Sequence, residues 1–526
     1  MHPLTRSFAL VAAVALLAPA AADAKKVKHY EVGMAARSIN VQPNGSYAGQ
    51  PVYLGGYGLG NGQALTAVGG GFRYDDGRAA TGILADGLHV RATVISAGSQ
   101  SFAIADIENQ GCFVANKQGH GLMAMRKEVA AATDRDLPAD HIFIQCDHSH
   151  GGPDLIGAWG GVPTEYLAFV EKQTVAAIVD AFGNQRPADL WYGTAQSGVA
   201  GRDPENTDPL LTNQMDNDPT GANEAMDDEL RVLQARSPKT GAPFATLLNF
   251  NSHPTVLGSS NTKVTGDWPQ FANTLMTDDA ATFGQQAMTV VGTLGRQQPN
   301  RGSCPDLALA AKGDSDPSEA ICKLTSYASR VVTRAKLAVK NAVPLTGSPR
   351  VVAKSYLIQD PASNAGILAL NDAGDLIGAP IMRSNTPPWR TANVIATVTG
   401  TARIGNIILS SMPGEAYAQI PLAVRAALKD SGITGFMTAG LSNDQLGYII
   451  ANLPDSYVQV LIRGAQGNDN ILFNPSQTLG ERLTCSLLRG AGDVLGKGTT
   501  FRDSDSKCVA FANDMLGGEG ADVTAG

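Results

Sequence analysis

The chain has 526 residues, with 40 Lys+Arg against 48 Asp+Glu and a formal net charge of −8. Such a balance offers no basic face to neutralise phosphates, which excludes a nucleic-acid-binding class. Apolar residues at 43% and charged residues at 17% exclude a largely disordered chain, and 58 Gly with 28 Pro speak against a helical bundle.

The first element reads as an export signal. Arg6 supplies the positive end, Phe8 to Ala18 is an eleven-residue apolar run, and Ala22-Asp23-Ala24 is a small-x-small cleavage site. The run is too short to span a bilayer as a helix. Residues 1–24 are therefore expected to be removed, and the mature protein to begin near Lys25 and be secreted or periplasmic. The plainer alternative is a membrane anchor. No later apolar run reaches the length of a transmembrane segment.

Short apolar or β-branched runs then recur, each followed by polar residues, as buried strands do. They are Ser101–Asp106, His141–Gln145, Phe244–Phe250, Ala287–Val291, Ile404–Leu409 and Gly435–Ala439. Apolar residues at helical spacing predict helices over Thr164–Phe182 and Ala416–Lys429, stopped near Gly183 and Gly432. Strands alternating with helices imply a mixed α/β fold. Gly201–Asp228, rich in Asp, Asn and Pro, reads as a long functional loop. Six cysteines in an exported chain allow disulfides. Cys304–Cys322 and Cys485–Cys508 would each close a short loop; Cys112 and Cys146 are either a third pair or buried thiols.

Chemistry-bearing residues sit just past four of these strands. His148 and His150 follow the strand ending near Gln145, and a spacing of two on extended chain puts both rings on one face. His253 follows Phe250, Glu415 follows Leu409, and Tyr448 follows Ala439. In α/β proteins the carboxyl ends of strands are where sites are built. Imidazole and carboxylate are good zinc ligands, so the set suggests a metal site. Each residue also has a plain reading alone: a hydrogen-bonded surface His, a helix N-terminal Glu, a half-buried strand Tyr. Amidohydrolase barrels and metallo-β-lactamase folds both need further His and Asp that this chain lacks. There is no HExxH and no GxSxG elbow. The glycines between Gly55 and Gly62 make a weak dinucleotide fingerprint, since they do not join a strand to a helix.

In this order the motifs resemble the catalytic domain of the neutral, non-lysosomal ceramidases. Tyr53-Leu-Gly-Gly-Tyr57 and Gly82-Ile-Leu-Ala-Asp-Gly-Leu-His-Val-Arg-Ala92 are similar to that family's "GYA" and "GIHxxLYARA" stretches. Asp147-His-Ser-His-Gly-Gly-Pro153 resembles "HTHSGPGG". Leu248-Asn-Phe-Asn-Ser-His-Pro-Thr255 with Thr265-Gly-Asp267 resembles "NFFAVHGTSM…SGDN". Met412-Pro-Gly-Glu415 resembles "PGE", and Gly440-Leu-Ser-Asn-Asp-Gln-Leu-Gly-Tyr448 resembles "GLANDYIGY". The resemblance spans most of the mature chain. It implies an α/β fold of mixed sheets flanked by helices, as one large catalytic domain over residues 25–526. It implies zinc held by His148, His253, Glu415 and Tyr448, with His150 and an Arg of the following loop, Arg202, on the substrate or oxyanion. The family cleaves the amide joining a fatty acid to a sphingoid base, so the implied partner is a lipid-like or small N-acyl substrate.

The chain departs from the family at three places. Gly295-Arg-Gln-Gln-Pro-Asn300 stands where the family has "GDVSPN", so Gln298 replaces the catalytic Ser and Arg296 the Asp. An amide side chain can donate a hydrogen bond but is not a nucleophile. Ile462 stands where the family has a second Tyr. The chain ends 78 residues past Tyr448, and we expect it to lack the family's C-terminal β-sandwich. The expectation is a zinc-dependent hydrolase of an amide bond with altered substrate-side residues. An ester or lactone hydrolase and a non-catalytic metal- or ligand-binding secreted protein are the alternatives. Asp267, and less so Asp106 and Glu108, are candidates to hydrogen-bond a ligand His. His89, His120 and His141 read as structural or exposed. Asp314-Ser-Asp316 and Asp503-Ser-Asp505 are candidate Ca²⁺ ligands without an EF-hand pattern.

Overall fold

The computed structural model describes residues 28–57, 77–202, 205–213, 225–310, 312–365, 367–368, 381–383, 393–453, 470, 473–497, 508 and 512. Residues 1–24, expected to be an export signal, Ile462 and Asp503–Asp505 lie outside them. Eight strands make the spine of a nine-stranded sheet: β1 Tyr30–Ser38, β2 His89–Ala97, β3 Gln100–Ile107, β4 Ile142–Cys146, β5 Arg186–Gln196, β6 Glu229–Arg236, β7 Pro243–Phe250 and β8 Gln286–Val291. Their order is β8-β7-β6-β5-β1-β2-β3-β4, with Val343–Pro344 pairing to β5. A five-stranded sheet holds β9 Val351–Pro361, β10 Asn393–Ile404, β11 Ile407–Ser411 and β12 Gly435–Ala439 in that order, with Ile381–Arg383 on β10.

Side-chain alternation decides the layers. On β3, Phe102 and Ile104 face the smaller sheet, while Ala103, Ala105 and Ile107 face helices. The two sheets thus pack face to face, with Met288 and Val290 meeting Leu409 and Met437 in their shared core. On the outer face of the large sheet lie α1 Leu122–Ala132, α2 Thr164–Gly183, α3 Asp267–Asp278 and α4 Pro317–Lys340. On the outer face of the small sheet lie α5 Gln419–Ala427 and α6 Leu479–Leu495. The result is four layers, helix–sheet–sheet–helix, the mixed α/β fold that the strand–helix alternation implies. Helix α4 starts sharply because Pro317 follows Asp316, whose carboxylate accepts from Ser318 N at 2.9 Å and Glu319 N at 3.3 Å.

Two predicted elements differ. The run Ile404–Leu409 is the hairpin between β10 and β11, turning at Gly405–Asn406 with Ile404 paired to Ile407. The helix predicted over Ala416–Lys429 is shorter, because Glu415–Ala416 pairs in parallel with Tyr448–Ile449 and only then does α5 begin. Within Gly201–Asp228, Leu211–Asn213 pairs with Gln297–Pro299.

Three disulfides close Cys112–Cys146, Cys304–Cys322 and Cys485–Cys508, with Cα separations of 6.0, 5.4 and 5.9 Å. Cys112 and Cys146 are thus a bonded pair rather than buried thiols. Among the described residues no helix is long and apolar enough to cross a membrane.

Most pairings in the large sheet are antiparallel, but β3/β4 and β7/β8 are parallel, as is β11/β12 in the small sheet. Parallel neighbours end at the same edge of their sheet. The three pairs are stitched there: Asn443 N donates to Ile144 O at 2.7 Å, Gly440 N to Val291 O at 3.0 Å, and Met412 N to Ala439 O at 2.8 Å. The approach is close enough that a Cβ on Gly440 would lie 2.3 Å from Gly292 O. The segments after β4, β7, β11 and β12 therefore converge.

Candidate metal centre

The chain does not continue extended past β4. Asp147 Oδ1 accepts from Asn109 N at 2.9 Å, from Ser149 N at 3.1 Å and from Ser149 Oγ at 2.8 Å, winding residues 147–149 into a tight turn. His148 sits in it at φ 69°, a left-handed conformation that His enters more readily than most residues. The expected two-residue strand spacing is therefore not what brings the rings together. The turn does so, leaving the His148 and His150 ring centroids 4.8 Å apart at 83°.

His148 Nδ1 donates to Gln110 O at 2.8 Å, and His253 Nδ1 to Gln297 O at 3.2 Å. A carbonyl only accepts, so Nδ1 carries the hydrogen and Nε2 the lone pair, the arrangement usual for metal-ligating histidines. Both Nε2 atoms face one carboxylate: Glu415 Oε2 is 3.4 Å from His148 and 3.0 Å from His253. The three ligand atoms lie within 4.8 Å of one another, on residues only 3%, 1% and 5% exposed for His148, His253 and Glu415. This group can hold a metal ion. Its electrostatics suit one. Burial pushes the His253 imidazole down. Burial also acts to raise Glu415, but the two imidazoles outweigh it and hold the carboxyl well below the usual range. Neutral imidazole and ionised carboxylate are the forms a divalent cation binds.

Tyr448 is buried beside the group. Its ring centroid is 6.4 Å from that of His253, and its backbone pairs with Glu415. His150 packs against both ligand histidines, at 4.8 and 6.2 Å between centroids, and both its ring nitrogens are buried without a protein hydrogen-bond partner. Burial and the neighbouring imidazoles push its pKa well below the ordinary value. Gln298 lies on the strand next to Gln297 and accepts from Thr255 Oγ1 at 2.7 Å. Arg202 is exposed on the loop after β5, where its N–H donates to Val199 O at 3.1 Å.

Of the acids expected behind the histidines, Asp267 and Glu108 are engaged elsewhere, and neither oxygen of Asp106 makes a hydrogen bond to protein. Asp267 accepts from Val256 N, Leu257 N and Trp268 N at 3.0, 3.1 and 2.8 Å, so it shapes the loop after His253 rather than touching a ring. Glu108 bonds Arg91 Nε at 3.1 Å and His89 N at 2.8 Å. Asp106 is buried at the end of β3, where desolvation and Asp147 push its pKa up. The partners that do orient the ligand rings are the backbone carbonyls of Gln110 and Gln297, which have no side-chain signature in a sequence. Asp314 bonds Lys323 and Gly258 N, and Asp316 caps α4, which accounts for that acidic pair without calcium. His120 pairs with Glu171 and His141 with Ser101 O, structural as expected.

No protein-family model matches the chain, and no curated protein does. Solved structures do, two ceramidases among them. The neutral ceramidase from Pseudomonas aeruginosa matches with a TM-score of 0.64 at 15% identity, covering 91% of this chain and 76% of that one. A structure described as "Ceramidase complexed with C2" matches with a TM-score of 0.62 at 14% identity, covering 91% and 77%. At these identities the likeness is one of architecture, and the chain has a neutral-ceramidase-like fold.

Proposed function

We propose that this chain is an exported, zinc-dependent hydrolase that cleaves an N-acyl amide bond. The carrying observation is the buried convergence of His148, His253 and Glu415 at the common edge of three parallel strand pairs. Two imidazoles with a carboxylate suit zinc better than calcium or magnesium, which prefer all-oxygen shells. Tyr448 is assigned as the fourth protein ligand, from its place beside Glu415 and His253. Zinc there supplies Lewis acidity, lowering the pKa of a water and polarising an acyl carbonyl.

The chain's own groups do the rest. His150, with both ring nitrogens unengaged by protein, takes the proton that the attacking water loses and returns it to the leaving nitrogen. The hydroxyl thus ends on the acyl carbon and the hydrogen on the amine. Gln298 offers an amide donor to the substrate carbonyl, and Arg202 is assigned to the substrate side of the loop. Because Gln298 cannot act as a nucleophile, attack falls to water alone. The fold likeness to ceramidases supports an amide substrate, and three disulfides suit an oxidising compartment.

The test is a panel of ceramides, other N-acyl amides, matched esters and lactones, incubated with zinc-loaded protein. Release of acid from amides, abolished by chelation and by His148→Ala, is expected. Faster turnover of the matched esters would favour the ester reading. Absence of chelator-sensitive turnover on every substrate would overturn the proposal.

A further inference from the structure

The three histidines of the site are held in different ways. His148 and His253 are tied by hydrogen bonds to Nδ1. The His150 ring has none, yet a side chain that meets a substrate must still be aimed. What surrounds it is a packed clamp from another part of the chain. Gly56, at φ +95°, lies so flat against the ring that a Cβ there would sit 2.4 Å from His150 Cγ. Tyr57 meets the ring edge-on, with centroids 4.6 Å apart at 76°. The Tyr57 hydroxyl donates to Leu257 O, fixing the far end of that side chain.

Arg78 backs the assembly. Its Cζ lies 4.9 Å from the Tyr57 ring centroid. Its Nη2 donates to His150 O at 2.6 Å and to Gly55 O, and its Nη1 to Asn261 O at 3.0 Å. One guanidinium therefore grips the backbone of both the clamp and the histidine it clamps. His150 N donates to Pro254 O at 3.2 Å, which joins the histidine to the segment after His253.

We infer that Tyr57 and Arg78 are positioning residues that hold the His150 ring by shape in its place beside His148 and His253. The inference rests on the reading of His148, His253 and Glu415 as a metal centre with His150 beside it. Packing on one face and one edge fixes the orientation of a ring that no hydrogen bond to protein fixes.

The test compares Tyr57→Leu, Tyr57→Phe and Arg78→Met in the full chain, with zinc content and thermal stability recorded for each. Tyr57→Leu removes the aromatic edge, and kcat should fall about a hundredfold with zinc content and KM near those of the parent. Tyr57→Phe keeps the edge and should recover kcat to within about threefold, as a conservative rescue. Arg78→Met should fall between them. A second readout needs no substrate: histidine labelled with ¹³C at Cε1, with the His150 resonance assigned by its loss in His150→Gln. That resonance should be sharp in the parent and in Tyr57→Phe, and broadened in Tyr57→Leu. Broadening without turnover in the parent would sink the hydrolase reading and keep the clamp. An unchanged resonance in Tyr57→Leu, or equal kcat in Tyr57→Leu and Tyr57→Phe, would overturn the clamp.

Discussion

His253 Nε2 stands 3.0 Å from Glu415 Oε2, though the two residues are 162 positions apart along the chain. A buried carboxylate is stable only when paired or bound to a metal, and Glu415 faces His253 and His148 at the candidate metal position. Removing either should therefore abolish metal binding rather than weaken it slightly. Partners outside the ligand shell typically cost 10–100-fold, so His253→Ala and Glu415→Gln should lose at least about a hundredfold in zinc affinity. Metal content after dialysis against a weak chelator measures this, and retention of a full equivalent by either variant would refute the ligand assignment.

The Cys112–Cys146 disulfide spans 34 residues and ends two positions before His148. Closing a loop of that length should stabilise the fold by about 3–4 kcal/mol through the unfolded chain. A Cys112→Ser/Cys146→Ser double variant should lose that much in urea unfolding. It should also bind zinc less tightly, since the turn bearing His148 loses its tether. Loss of stability with unchanged zinc affinity would show the turn to be held by Asp147 alone.

Glu481 lies on α6, where one carboxylate oxygen accepts from Asn452 N at 2.8 Å and the other is buried without a partner. Burial pushes its pKa up from 4.5 to about 7. The native state then holds a proton between pH 4.5 and 7 that the unfolded chain has released. Stability from this group therefore falls as pH rises through that window, by a total of about 3 kcal/mol above pH 7. Glu481→Gln should raise the Tm at pH 8 and leave it unchanged at pH 4. Equal shifts at both pH values would mean that packing, not charge, is responsible.

Thr255 follows His253 by two residues, and its hydroxyl holds Gln298 Oε1 at 2.7 Å. If Gln298 meets the substrate, Thr255→Val should cost the value of one neutral hydrogen bond, about 1 kcal/mol or roughly fivefold in kcat/KM. Steady-state kinetics on the best amide of the panel would read this. No change would place Gln298 outside the substrate's reach.

The sequence by itself determined which strands end in chemistry. Buried runs such as His141–Gln145 and Phe244–Phe250 are short, apolar and bounded, so their ends, and the His and Glu beyond them, could be located from residue pattern alone. The same pattern misjudged Ile404–Leu409, because apolar residues flank the hairpin turn on both sides and only the pairing of Ile404 with Ile407 reveals it. Tertiary structure alone decided the rest: the left-handed turn at His148, the carbonyls of Gln110 and Gln297 behind the ligand rings, and the Tyr57–Arg78 clamp on His150. Each depends on backbone groups or on side chains distant in sequence. Every residue carries the same carbonyl, and only the packing of strands against one another selects which of them meets a histidine.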